Sequence, residues 1–209
     1  LEVVLSRPAN KKEEILQHAV SQFARCGFEG TTIRHIAGKC GITEAAIYRH
    51  YSSKRDLYNA SIASKASQHN IREFLKTSDW SGEIEVVLAG LATYLLGLAK
   101  KDPELLRLIS YASLEDAESR MHLYNEVRLP LIMFLSKQIE KRINSGELKP
   151  VDPWITSRCF VGMILDCAFN FSIWGGLEKE ATAENVICNN IPIFARGLKN
   201  GHCIERGLV

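Results

Sequence analysis

The stretch from Gly30 to Tyr51, GTTIRHIAGKCGITEAAIYRHY, decides the reading of the whole chain. Thr31 or Thr32 can cap a short helix whose inward positions, three and four apart, are Ile33, Ile36, Ala37 and Cys40. Gly41 ends it, because glycine readily takes the left-handed conformation that a helix end wants. Ile42 follows as an apolar plug. Thr43 caps again, and Glu44 suits the positive end of the next helix, which carries Ala46, Ile47, Tyr48, Arg49, His50 and Tyr51. Two short helices joined at a glycine make a helix-turn-helix pattern. The Ala37 side must be small so that the two can cross closely, and Ile42 with Ile47 locks the pair.

The second helix then offers its outer face to a duplex groove. That face holds Thr43, Glu44, Ala45, Arg49 and His50, with Tyr48 at its edge. Short side chains at Thr43, Ala45 and Ala46 let the backbone approach. Tyr48 and His50 can donate to phosphates, and Arg49 can reach a phosphate or a guanine edge. Glu44 either accepts from a cytosine amino group or only strengthens the helix start. Tyr51 reads as core packing, and Tyr48 as a ring packed inward with its hydroxyl outward.

Working outward, an earlier helix opens at Asn10, with Glu13 three residues on as in a capping box. Ile15, Leu16, Ala19, Val20 and Phe23 form its apolar stripe, and Gly27 stops it. Ser53 to Asp56 opens a fourth helix, predicted to run from Lys54 to about Leu75. Beyond a loop at 77–82, Val87, Leu88, Leu91, Leu95 and Leu98 mark another helix. Asp-Pro pairs at Asp102-Pro103 and Asp152-Pro153 start two more, since proline at the first helical position lacks only an unpaired hydrogen. Ile132, Leu135, Ile139 and Ile143 lie on a helix ended by Gly146. A last helix runs from about Thr182 to Leu198, bent at Pro192. The fold class is all-α: a three-helix helix-turn-helix head, residues 9–56, on a C-terminal helical ligand-binding and dimerisation bundle, residues 57–204.

Composition agrees. The 209 residues are 46% hydrophobic and 24% charged, with 14 Gly and 6 Pro, which excludes collagen-like and disordered classes. A chain this long can bury a core without disulfide or metal staples. Residues 1–55 hold nine Lys/Arg against five Asp/Glu, +4, whereas residues 56–209 hold 17 against 19, −2. A basic head on a slightly acidic body hints at a polyanion partner for the head. The six cysteines, at 26, 40, 159, 167, 188 and 203, make no C-x-x-C pair. Cys26, Cys40, Cys159 and Cys167 read as small buried hydrophobes, Cys203 in the tail as the thiol most open to solvent, and no metal or cofactor is expected. Residues 1–10 do not read as a secretory leader. The most apolar run, Cys159 to Trp174, is interrupted by Asp166 and Asn170, so no membrane span or membrane partner is expected; cysteines read as reduced thiols make a cytoplasmic location the expectation.

At this point residues 15–60 resemble the N-terminal domain of the TetR family of bacterial transcriptional regulators. The resemblance rests on Ile15, Ala19, Phe23, Gly27, Thr32, Ile36, Ala37, Gly41, Ile42, Ala46, Ile47, Tyr48, His50, Tyr51, Lys54 and Leu57. Cys40 departs from it, standing where a small alanine is usual. The resemblance implies that Thr32 and Lys54 anchor phosphates. It also implies that Thr43, Glu44, Ala45, Tyr48, Arg49 and His50 face DNA.

One recognition helix reads only a few base pairs, so a homodimer on a palindromic operator is expected. The candidate dimer surface is the helix pair around 127–145 and 153–174, the second of which is apolar on nearly every side. A small-molecule effector is expected to bind between body helices, at Tyr94, Tyr111, Met121, Tyr124, Asp166, Phe169, Asn170 and Trp174. Asp166 and Asn170, one turn apart, either contact that ligand or hydrogen-bond across the dimer. Ligand binding to a conformation with another head spacing lowers DNA affinity by the differential. The fourth helix is the lever. The resemblance makes repression the usual mode. An enzyme is disfavoured, because no G-x-S-x-G, H-E-x-x-H, P-loop or G-x-G-x-x-G occurs and no catalytic residue is assigned. The alternative is a scaffold whose head binds protein rather than an operator.

Overall fold

The computed structural model describes residues 10–115, 117–177 and 179–199. Every regular element among them is helical: α1 (Lys11–Cys26), α2 (Ile33–Lys39), α3 (Glu44–Tyr48), α4 (Lys54–Gln68), α5 (Ile71–Thr77), α6 (Ile84–Lys101), α7 (Pro103–Glu115), α8 (Ala117–Leu123), a π-helical turn (Tyr124–Arg128), α9 (Leu129–Asn144), α10 (Pro153–Ser172) and α11 (Ala183–Lys199).

The described chain divides into two compact units. One holds the residues up to Asn70 together with Glu104–Tyr124, and the other holds Ile71–Pro103 with the residues from Asn125 onward. In the first, α1 packs on α4 and α2, and α2 packs on α3. Ile15, Ala19, Phe23, Ile36, Ile47 and Leu57 are fully or almost fully buried there. The Phe23 ring meets Tyr58 edge-on at 4.9 Å between centroids, adding an aromatic contact to the area buried. In the second unit α6 is the hub, with α10 and α11 packed on it and α9 packed on α10. Its Ile84, Val87, Leu88, Leu91, Ala92 and Leu96 are fully buried, because neighbours cover more than one side of the helix.

Helix starts follow the local chemistry. Asn10 Oδ1 accepts the Lys12 amide, Thr32 Oγ1 the His35 amide, Thr43 Oγ1 the Ala46 amide, Ser53 Oγ the Asp56 amide and Asp152 Oδ1 the Ile155 amide. Each removes one of the orphan donors of a helix N-terminus. Thr31, the other candidate cap, is instead buried and donates from Oγ1 to the Gly27 carbonyl at 2.7 Å.

Four expectations are corrected. The single helix from Lys54 to about Leu75 is two, α4 and α5, with His69 in a non-helical conformation (φ −113°, ψ 73°) between them. Ser67, His69 and Asn70 are weak helix formers, so no propensity carries α4 across the joint. The break falls where the chain passes from the first compact unit to the second. Cys159 is exposed, and Cys26 and Cys167 are half-buried, leaving Cys40 as the buried one among the described cysteines. Cys203 lies outside the described residues. Asp166 and Asn170, expected to share an environment, differ: Asn170 is buried and Asp166 exposed, because Asp166 falls on an edge of α10 that no described residue covers. Leu16, in the expected stripe of α1, is only half-buried.

Candidate nucleic-acid interface

The turn between α2 and α3 is built on Gly41, whose φ of +63° lies in the left-handed region. The Ile42 amide donates to the Ala37 carbonyl at 3.0 Å, closing the end of α2. Ile47 is fully buried and pins α3 to the core, so the opposite side of α3 faces out. Thr43, Glu44, Ala45, Tyr48, Arg49 and His50 are all exposed, as the sequence led us to expect. The face is continuous and lies over a buried core, which suits insertion into a major groove.

Tyr48 is 49% exposed, whereas Tyr51 is only 4% exposed. The Tyr51 hydroxyl donates to the Lys12 carbonyl at 3.4 Å, and burial pushes its pKa up, with Asp56 adding to the rise. Thr32 is exposed and its Oγ1 already accepts the His35 amide, which leaves the hydroxyl hydrogen available to a phosphate oxygen. Lys54 opens α4 as expected. Its ammonium lies 4.2 Å from the Phe28 ring centroid, and the Arg55 guanidinium lies 3.7 Å from the same centroid. Phe28 and Arg55 were not singled out from the sequence; aromatic-cation adjacency across 26 and 27 residues leaves no local periodic mark. Exposed Arg34, His35 and Lys39 on α2 add to the basic character of this compact unit.

The eight residues proposed for an effector are distributed between the two compact units. Tyr111, Met121 and Tyr124 belong to the first, and Tyr94, Asp166, Phe169, Asn170 and Trp174 to the second. The Tyr111 hydroxyl donates to the Arg25 carbonyl at 3.4 Å, and Met121 is exposed. Tyr94 stacks on Phe74 with centroids 3.7 Å apart, in a cluster that continues through Trp80 to Phe134. Burial raises the pKa of its hydroxyl. At the end of α10 the Trp174 amide donates to the Phe169 carbonyl at 3.0 Å.

Residues 15–61 match the family model for bacterial regulatory proteins, tetR family. Over those residues the chain is similar to TetR-family regulators. It is 27% identical over 161 residues to YfiR of Bacillus subtilis, an uncharacterized HTH-type transcriptional regulator, covering 73% of this chain and 76% of that one. It is 32% identical over 115 residues to the HTH-type transcriptional repressor KstR2 of Mycolicibacterium smegmatis, covering 55% of this chain and 47% of that repressor. The fold is similar to that of AibR in complex with isovaleryl coenzyme A and operator DNA, with a TM-score of 0.69, 18% identity, and coverage of 89% of this chain and 98% of AibR. The TetR family is one of transcriptional regulators, not of enzymes. No described helix is long and apolar enough to cross a membrane.

Proposed function

We propose that the protein is a homodimeric, cytoplasmic repressor released from a palindromic operator by a small, largely apolar effector. Residues 9–56 read the DNA, and residues 57–204 bind effector and partner subunit. The observation that carries this reading is the exposed strip from Thr43 to His50, held outward by buried Ile47. Arg49 reads a base edge or a phosphate, Thr32 and Lys54 grip phosphates, and Tyr48 and His50 contact the backbone beside them.

Two heads need a two-fold axis. The outward residues of α9 are mostly charged, Lys137, Glu140 and Lys141, with Met133 exposed near its start. Those of α10 include Trp154 and Ile155 at its start, with Ile173 and Trp174 just past its end, and α11 adds Ile193. Exposed apolar side chains at both ends of α10 favour a partner surface there. We therefore place the dimer face on α10 with α11 beside it, rather than on the α9–α10 pair expected from the sequence.

AibR forms a complex with isovaleryl coenzyme A and operator DNA. A short acyl thioester is thus the first effector class to try here, with Tyr94, Phe169, Asn170 and Trp174 as candidate lining in the second unit. Fluorescence anisotropy of the chain on its own upstream DNA tests the reading. A salt-sensitive complex of two chains per site, weakened by an effector, is expected. A folded dimer that shows no binding at low salt points instead to the scaffold reading.

A further inference from the structure

Glu14 and His18 sit one turn apart on α1, and Cys40 closes α2. A spacing of four puts the first two on one helix face. A carboxylate oxygen, an imidazole nitrogen and the thiol sulfur all lie within 4.8 Å of one another. Cys40 is buried, and Glu14 and His18 are half-buried. All three belong to the same compact unit, in which α1 packs on α2.

We propose that Glu14, His18 and Cys40 bind one thiophilic divalent cation of the zinc class, clamping α1 to the end of α2. Around a tetrahedral zinc at about 2.0–2.3 Å from its ligands, neighbouring donor atoms stand roughly 3.3–3.7 Å apart. Donors already within 4.8 Å reach that spacing by side-chain rotation. One sulfur and one nitrogen suit zinc, cobalt or nickel. Magnesium and calcium are disfavoured, because they want several oxygens and only one carboxylate is offered beside Lys11. The fourth position takes water. A cleft of about 380 Å³, lined by His18 with Gln22, Arg25, Lys39, Glu104 and Arg107, opens beside the His18 ligand.

An ammonium already bridges the same two elements. Lys11 Nζ stands 2.9 Å from Glu14 Oε2 and donates to the Cys40 carbonyl at 3.0 Å. The metal replaces Lys11 as the partner of Glu14. The Cys40 thiol releases its proton to solvent, its sulfur donates an electron pair to the metal, and no oxidation state changes. Cys40 directly precedes Gly41, whose positive φ sets the turn into α3. The metal thereby ties the recognition turn to α1.

The test is cobalt titration of the reduced, chelator-stripped full chain, followed by displacement with zinc. One cobalt per chain is expected, with a near-ultraviolet thiolate-to-metal band and intense visible bands. Cys40→Ser and His18→Gln each should lose the bands and bind at least tenfold more weakly, while Cys188→Ser keeps them. Lys11→Met should bind several-fold more tightly, since the competing ammonium is gone. Circular dichroism melts of the metal-free variants check folding, and His18→Gln decides the matter where Cys40→Ser is unfolded. Absence of the bands in the wild type, their survival in His18→Gln, or an unchanged Lys11→Met affinity overturns the proposal. No DNA enters the titration, so its failure leaves the DNA-binding reading untouched.

Discussion

The Tyr51 hydroxyl donates to the Lys12 carbonyl, and the Lys12 ammonium stands 5.5 Å from the centroid of the same ring. The residue that follows the exposed strip from Thr43 to His50 is thus tied back to the first turn of α1. Tyr48, three residues earlier, has its ring half in solvent. Two tyrosines of one short segment therefore divide between support and surface.

That division separates their variants. Tyr51→Ala removes a buried ring, and about 3–5 kcal/mol of stability is expected to go with it. Tyr48→Ala should change stability by no more than ~0.5 kcal/mol yet weaken DNA binding. Urea unfolding and anisotropy, run on both variants, check the contrast; equal destabilisation by the two would contradict it.

Arg49→Ala, if Arg49 reads a base, should cost about 1–3 kcal/mol of specific affinity and relax preference at one position per half-site. A binding-site selection experiment on the variant measures this. Intact preference makes Arg49 a backbone contact.

Lys54→Ala should weaken specific and random DNA alike and lower the salt slope by about one. Loss of its position over Phe28 adds about 0.5–1 kcal/mol of destabilisation, seen in the melt of the free protein. An unchanged salt slope removes Lys54 from the phosphate contacts.

Thr32 has two duties that one substitution series can part. Thr32→Ala loses the cap on the His35 amide and should cost about 1 kcal/mol of stability as well as DNA affinity. Thr32→Ser keeps both. Thr32→Asp keeps the cap but sets a carboxylate against phosphate, so stability should hold while DNA binding falls. Thermal melts paired with anisotropy read the two effects separately.

In the second unit, buried Arg142 donates to the Gly82 carbonyl at 2.7 Å and to Gln138 Oε1 at 2.7 Å, and lies 3.4 Å from Glu147. Glu147 in turn accepts the Ile84 amide. Arg142→Ala strands these acceptors and should destabilise by about 3–5 kcal/mol. A urea titration of the variant, followed by tryptophan fluorescence, measures the loss; a cost under 1 kcal/mol would show that water replaces the guanidinium.

Helix starts at Asn10, Thr32, Thr43, Ser53 and Asp152 were legible because a cap is a contact between residues two or three apart. So was the outward face of α3, since burying Ile47 fixes its opposite side. Less legible was the end of α4: three weak helix formers lower propensity without naming the residue that breaks. The exposure of Cys159 and Asp166 was hidden too. An apolar helix announces that it needs cover, not which neighbour supplies it.

Residue order alone determined an all-helical chain, its capped starts, the glycine turn and the strip from Thr43 to His50. These are short-range matters of backbone geometry and period. Tertiary packing alone brought Cys40 to Glu14 and His18, set Lys54 and Arg55 against Phe28, and left Asp166 of α10 exposed while burying Asn170. Those outcomes join residues far apart in the chain, and only the competition among all the faces seeking burial decides which of them meet.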